Sequence, residues 1–189
     1  MQILLINGSP RQGSNTHAAL CFLEQQLALS GIETSWFHLK PGPVQGCTGC
    51  GGCGETKRCV HDDDCNQLIR QILAADGVIA ATPVYFAGAN GALCALLDRV
   101  FFAAVTHGQL FQGKLAASLA SCDWTGGVSA LERLNRYFLA AQMRVIGSDD
   151  YLVFPRRSVL DREERALARL RSLASRFAAE AGAGSQKTD

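Results

Sequence analysis

The chain carries almost no excess charge: 18 Lys and Arg stand against 17 Asp and Glu, a formal balance of +1 over 189 residues. So weak a field gathers neither nucleic acid nor an anionic membrane surface, and small molecules or other proteins are the expected partners. Long apolar runs are scarce as well. The first one, residues 3–6, is too short for a secretory core or a membrane span, and a cytoplasmic protein is expected. Common phosphate-handling signatures are also missing. There is no Gly-Lys-Ser/Thr, which a P-loop needs to hold terminal phosphates and magnesium, and no G-x-G-x-x-G turn directly after an apolar strand, where a dinucleotide fingerprint must stand. Cys122 is followed six positions on by Val128 rather than Arg, which excludes a Cys-x5-Arg phosphatase loop. No internal repeat or linker divides the chain. One domain over residues 1–181 is expected, with an irregular Cys-rich insert at 41–62 and a disordered tail at 182–189.

What is present alternates in period. Residues 2–7 form a continuous apolar strand, and residues 16–29 repeat apolar positions at helical spacing through Ala19, Leu20, Leu23 and Leu27, with Gly31 as a stop. Strands are expected at 33–38, 77–82, 114–121 and 144–153. Helices are expected from Asp62, Asp63 and Asp64 to residue 75, from Asn90 past Phe101, at 128–143 and at 161–179. The three aspartates supply capping oxygens. Parallel strands need crossover connections, so five strands alternating with five helices predict a three-layer α/β sandwich around a five-stranded parallel sheet.

Ligands of such sheets bind beyond the carboxyl ends of the strands. The first such loop, residues 8–16 (GSPRQGSNT), joins glycine to a dense set of donors: Ser9, Ser14, Asn15, Thr16 and the charged fork of Arg11. At a helix start these predict an anion site, and a phosphate fits it. The second, Pro83 with Val84, Tyr85 and Phe86 exposed after it, offers the apolar wall and backbone N–H groups that a planar heterocycle requires. In the third, residues 121–127 (SCDWTGG), Ser121, Cys122 and Gly126 are candidates for contacts to the ring edge.

Taken in order, NGSPRQGSNT at 7–16, the cysteines with CVHDDD at 59–64, AATPVYF at 80–86 and LLDR at 96–99 resemble the flavodoxin-like NAD(P)H-dependent FMN reductases, and among them the iron-sulfur flavoproteins. The resemblance spans about residues 1–155. It implies a flavodoxin-like fold and FMN, with the phosphate on Ser9, Arg11, Ser14, Asn15 and Thr16 and the ring along Pro83 to Phe86. It also implies NAD(P)H as co-substrate and a homodimer or homotetramer with flavins near subunit interfaces. Cys94 stands where the family often has Lys, and Cys65 where Met is common; both are expected to pack as small hydrophobes.

Cys47, Cys50, Cys53 and Cys59 follow the compact spacing of iron-sulfur flavoproteins, close to the ferredoxin run. Three thiolates two residues apart in a Gly-rich turn can face one 4Fe-4S cube, whereas structural zinc favours two knuckles on a longer arm. The alternative is an inherited loop of plain thiols. Three functions follow. One is a reductase passing electrons from NAD(P)H through FMN to a quinone, nitro or azo compound, free flavin or metal ion. The second is an iron-sulfur flavoprotein exchanging electrons with a ferredoxin-like carrier, and the third a non-enzymatic flavin-binding redox sensor. No catalytic side chain is demanded, since the flavin carries the chemistry. His38, His61 and His107 read as isolated, and Asp98 and Arg99 as a structural or interface ion pair.

Overall fold

The computed structural model describes residues 1–122, 125–147, 153–154 and 164–185. Its elements run β1 (Gln2–Asn7), α1 (Asn15–Leu29), β2 (Glu33–His38), α2 (Cys53–Thr56), α3 (Asp64–Ala74), β3 (Gly77–Tyr85), β4 (Gly88–Ala89), α4 (Gly91–Thr106), β5 (Leu115–Ser121), α5 (Gly127–Ala140), β6 (Arg144–Gly147), β7 (Val153–Phe154) and α6 (Glu164–Ser185). The main sheet has the order β2-β1-β3-β5-β6 with every neighbouring pair parallel. This is the flavodoxin-like arrangement.

Strand alternation sorts the core into two layers. On one face Leu4, Ile6, Val78, Ala80 and Ala116 meet α3, α4 and α5 through Leu68, Leu97, Val100 and Phe138. On the other, Ile3, Leu5, Ile79, Ala117 and Leu119 meet α1 and α6 through Leu20, Leu23, Leu170 and Phe177. Each buried Val, Ile, Leu or Phe among them contributes about 1.5–3 kcal/mol by leaving water. Because α1 and α3 cover opposite faces, the connections diverge between β1 and β3, and a crevice opens at their carboxyl ends. The loops after β1 and β3 flank it.

Several boundaries differ from the periodic reading. The insert contains one helical turn, α2, which ends at Lys57 in the left-handed region with φ 59°. The region expected as a fifth strand contributes two segments, β6 and β7, each parallel to β5, with residues 148–152 outside the described set. Helix α6 runs to Ser185, into the segment expected as tail.

Strand β3 carries on through Pro83 and Val84 to Tyr85, then turns back into β4. Phe86 and Ala87 make that turn with φ of 46° and 65°. Neither residue is one that favours this region, so the hairpin is held under strain.

Candidate functional site

The first loop is ordered from its own sequence. Asn7 Oδ1 accepts from the Ser9 N–H at 3.1 Å, and Ser9 Oγ accepts from the Arg11 N–H at 3.4 Å. Ser14 caps α1, its hydroxyl accepting from the His17 N–H at 3.2 Å. Gly8 is required by close approach. A methyl group there would meet the Leu93 side chain and stand 2.7 Å from the Ala81 carbonyl oxygen.

Two longer-range contacts lock this loop to its neighbours. Asn90, buried at the start of α4, donates from Nδ2 to the Gly8 carbonyl at 2.8 Å, and its own N–H donates to Thr82 Oγ1 at 3.0 Å. Gly126, with φ 87°, presses its backbone against Ala87, leaving no room for a side chain. The loops after β1, β3 and β5 therefore form one unit. Asn90 and Thr82 escape a periodic reading, although a polar residue inside a buried strand end was a usable signal for Thr82.

A cavity of about 200 Å³ lies within that unit, lined by Arg11, Gln12, Gly13, Ser14, Asn15, Thr16, Pro83 and Ser121. Four of the five expected phosphate donors meet there. Ser9 faces the other flank of the loop, in a cavity of about 510 Å³ with His17, His38 and Lys40. The Thr16 hydroxyl is buried without a hydrogen-bond partner, an arrangement that costs about 1–3 kcal/mol unless a ligand supplies an acceptor. Hydroxyl, amide and guanidinium donors around a helix start fit the phosphate of FMN.

Tyr85 and Phe86 are exposed and Pro83 is buried. Val84 is not free: it is half-buried against Ala120, Ala130 and Leu131, because the hairpin folds it onto α5. Cys122 is buried and its thiol donates to the Thr125 carbonyl at 2.9 Å, closing the third loop on itself. Asp123 and Trp124 of that loop lie outside the described residues.

The histidines are less isolated than they read. His38 stacks on Trp36 with centroids 4.9 Å apart, and His17 stands edge-on to both. Burial, then the neighbouring His17, lowers the His38 pKa below its ordinary value.

Asp98 and Arg99 each form an ion pair, but not with one another. They project from different faces of α4: Asp98 pairs with Arg133 at 2.7 Å and accepts from the Tyr137 hydroxyl, while Arg99 pairs with Asp63. Asp63 also caps α3, and hydrogen bonding to Arg99 holds its carboxyl below the usual range. Asp64 pairs with Lys40 and Asp62 with Arg58.

Cys47, Cys50, Cys53 and Cys59 all line a single cavity with His61, Arg99 and Phe102. Cys47 and Cys50 are exposed, Cys59 half-buried and Cys53 buried. Among the described residues no three His, Cys, Asp or Glu side chains gather around one point as a single ion would need. Four thiols are the ligand set of an iron-sulfur cube, in which each thiolate meets its own iron. Cys65 is buried beneath them, its thiol pushed up to about 12 by desolvation. Cys94 is half-buried.

Residues 1–154 match the NADPH-dependent FMN reductase family. The chain belongs to that family. It is a flavin oxidoreductase that uses FMN with NAD(P)H. It is 30% identical to an iron-sulfur flavoprotein of Methanocaldococcus jannaschii over 152 residues, 79% of this chain and 78% of that protein. The fold is shared with a flavone reductase at TM-score 0.74 and 18% identity, covering 100% of this chain and 65% of that one, so the family member spans about two thirds of that reductase's length. An NADH:FMN oxidoreductase in its apo form superposes at TM-score 0.70 and 22% identity, over 95% of this chain and 89% of that one. Among the described residues no helix is long and apolar enough to cross a membrane.

Proposed function

We propose that the reductase seats the FMN phosphate among Arg11, Ser14, Asn15 and Thr16, and the ring against Tyr85 and the third loop at Ser121, Cys122 and Gly126. The observation that carries this reading is the buried, partnerless Thr16 hydroxyl at the cavity shared by the three loops. Ser9 shapes the turn from its other flank. When bound, FMN supplies the acceptor for a hydride from NAD(P)H. The chain's own residues bind and orient: Arg11 balances phosphate charge, Asn90 and Gly126 hold the loops in register, and Pro83 stiffens the floor. The strained turn at Phe86 presents its ring to solvent at the rim, where a second copy would complete the pocket in a homo-oligomer. Electrons then leave for a small acceptor, a quinone, nitro or azo compound, free flavin or metal ion.

A second reading adds a 4Fe-4S cluster on Cys47, Cys50, Cys53 and Cys59, making the protein a relay to a ferredoxin-like carrier. The spacing of the four cysteines and their places along one cavity wall support it, as do relatives that bear the name iron-sulfur flavoprotein.

Both readings are tested by anaerobic reconstitution with FMN, iron and sulfide, followed by metal and acid-labile sulfide analysis and turnover with a panel of acceptors. Thr16→Val keeps the shape and removes the hydroxyl. Weaker FMN binding by this variant is expected, and unchanged affinity would count against the phosphate site. Flavin uptake with no iron would remove the relay and leave the reductase.

A further inference from the structure

Within the cluster reading, one side chain at the cysteine cavity has no assigned task. Arg99 projects from α4 with its side chain 2% exposed, a degree of burial that a guanidinium tolerates only when its charge and donors are met. Its Nη1 and Nη2 donate to Asp63 Oδ2 and Oδ1 at 2.7 and 2.8 Å. Its Nε and Nη2 both donate to Cys59 Sγ, each at 3.3 Å. The Gln45 and His61 carbonyls take the remainder, at 3.3 and 3.4 Å.

The sulfur is held to meet that fork. Asn66, buried on α3, accepts from the Cys59 N–H at 2.8 Å and donates to the Cys59 and His61 carbonyls at 3.0 and 3.1 Å. Both ends of the Cys59 backbone are thereby fixed. Among the described residues the one hydrogen bond at Cys53 Sγ is with the neutral Thr106 hydroxyl, at 3.8 Å. Among the described residues, Arg99 is the one charged group hydrogen-bonded to a sulfur of the four.

We propose that Arg99 is a positioning residue for the cluster: its paired N–H bonds aim the Cys59 thiolate into the cavity and raise the cluster's one-electron reduction potential. This rests on the cluster reading above. The cluster gains one electron from the reduced flavin or from an external carrier and gives one up to the next acceptor. No proton moves, and Arg99 stays a guanidinium throughout. Adding an electron makes an anionic centre more negative, and charge-assisted N–H···S bonds favour that state. A merely structural Arg99, clipping α4 to the insert through Asp63, would leave the potential where it is.

The test is a redox titration of the reconstituted full chain, following the reduced cluster by electron paramagnetic resonance, with the flavin midpoint as internal control. Arg99→Met removes the fork, and Asp63, at 45% side-chain exposure, can turn to water. Its cluster midpoint is expected to fall by about 59 mV, a tenfold loss of reduced cluster at fixed poise. Asp63→Asn breaks the ion pair and keeps the N–H···S bonds, so its midpoint does not fall. Arg99→Lys, with charge but no fork, lies between wild type and Arg99→Met. Should Arg99→Met fail to fold, Arg99→Lys decides, and a wild-type midpoint there overturns the proposal. A loaded Arg99→Met protein with the wild-type midpoint overturns it too while leaving the cluster reading intact. A wild-type chain that takes up no iron overturns both.

Discussion

The carboxamide of Asn90 donates to the carbonyl of Gly8 across 82 residues of sequence, at 2.8 Å, while its oxygen accepts from the Ala92 N–H at 2.9 Å. One side chain thus caps α4 and ties the loop after β1 to the loop after β3. Replacing it with Ala leaves a buried carbonyl without its partner and a helix without its cap. We expect a loss of about 2 kcal/mol or more, read by denaturant unfolding, together with weaker FMN binding.

Gly126→Ala is expected to disturb the site while sparing the core. The added methyl meets the Ala87 backbone and the residue stays at positive φ, a combination costing on the order of 1–3 kcal/mol. The β3–β4 hairpin must shift to relieve it. A fall in FMN affinity with near-normal far-UV circular dichroism is the expected pattern; unchanged affinity would show that the second and third loops act independently.

Arg11→Ala separates phosphate from ring. Losing one exposed charge-assisted contact should weaken FMN binding roughly tenfold, with riboflavin binding unaltered because it has no phosphate. Equal losses for both ligands would place Arg11 elsewhere than at the phosphate.

How much of this was open to a reader of the sequence depends on distance along the chain. Apolar period gave the five-stranded order of elements, because Ile3 to Ile6 and the α4 stripe of Leu93, Leu97 and Val100 bury whole faces. Donor density marked residues 11–16. Contacts between segments far apart in the chain carry no local signature: Asn90 with Gly8, Gly126 with Ala87, and Arg99 with Cys59. The hairpin at Phe86 and Ala87 was hidden for another reason, since such turns normally announce themselves by Gly or Asn and here the surroundings impose them. Asp98 and Arg99 are adjacent in sequence, but successive helix positions do not face each other, so their partners lie on different elements.

Alkaline stability should reflect Tyr137. Burial, and then the hydrogen bond to Asp98, raise its phenol above the ordinary value of 10.0. The folded chain keeps this proton where the unfolded chain loses it, so the contribution is complete below pH 10 and drains away as pH rises beyond it. Tyr137→Phe should therefore flatten the high-pH limb of a stability profile measured by denaturant unfolding. A limb as steep as wild type would assign the loss to other groups.

In the proposed site, three loops at the carboxyl ends of β1, β3 and β5 hold an FMN that a pyridine nucleotide reduces. Anaerobic titration of the FMN-loaded chain with NADPH and NADH, followed at the flavin absorption band, tests it most directly. One FMN per chain and full bleaching by at least one of the two nucleotides are expected. A chain that takes up no FMN, or holds FMN that neither nucleotide bleaches, contradicts it.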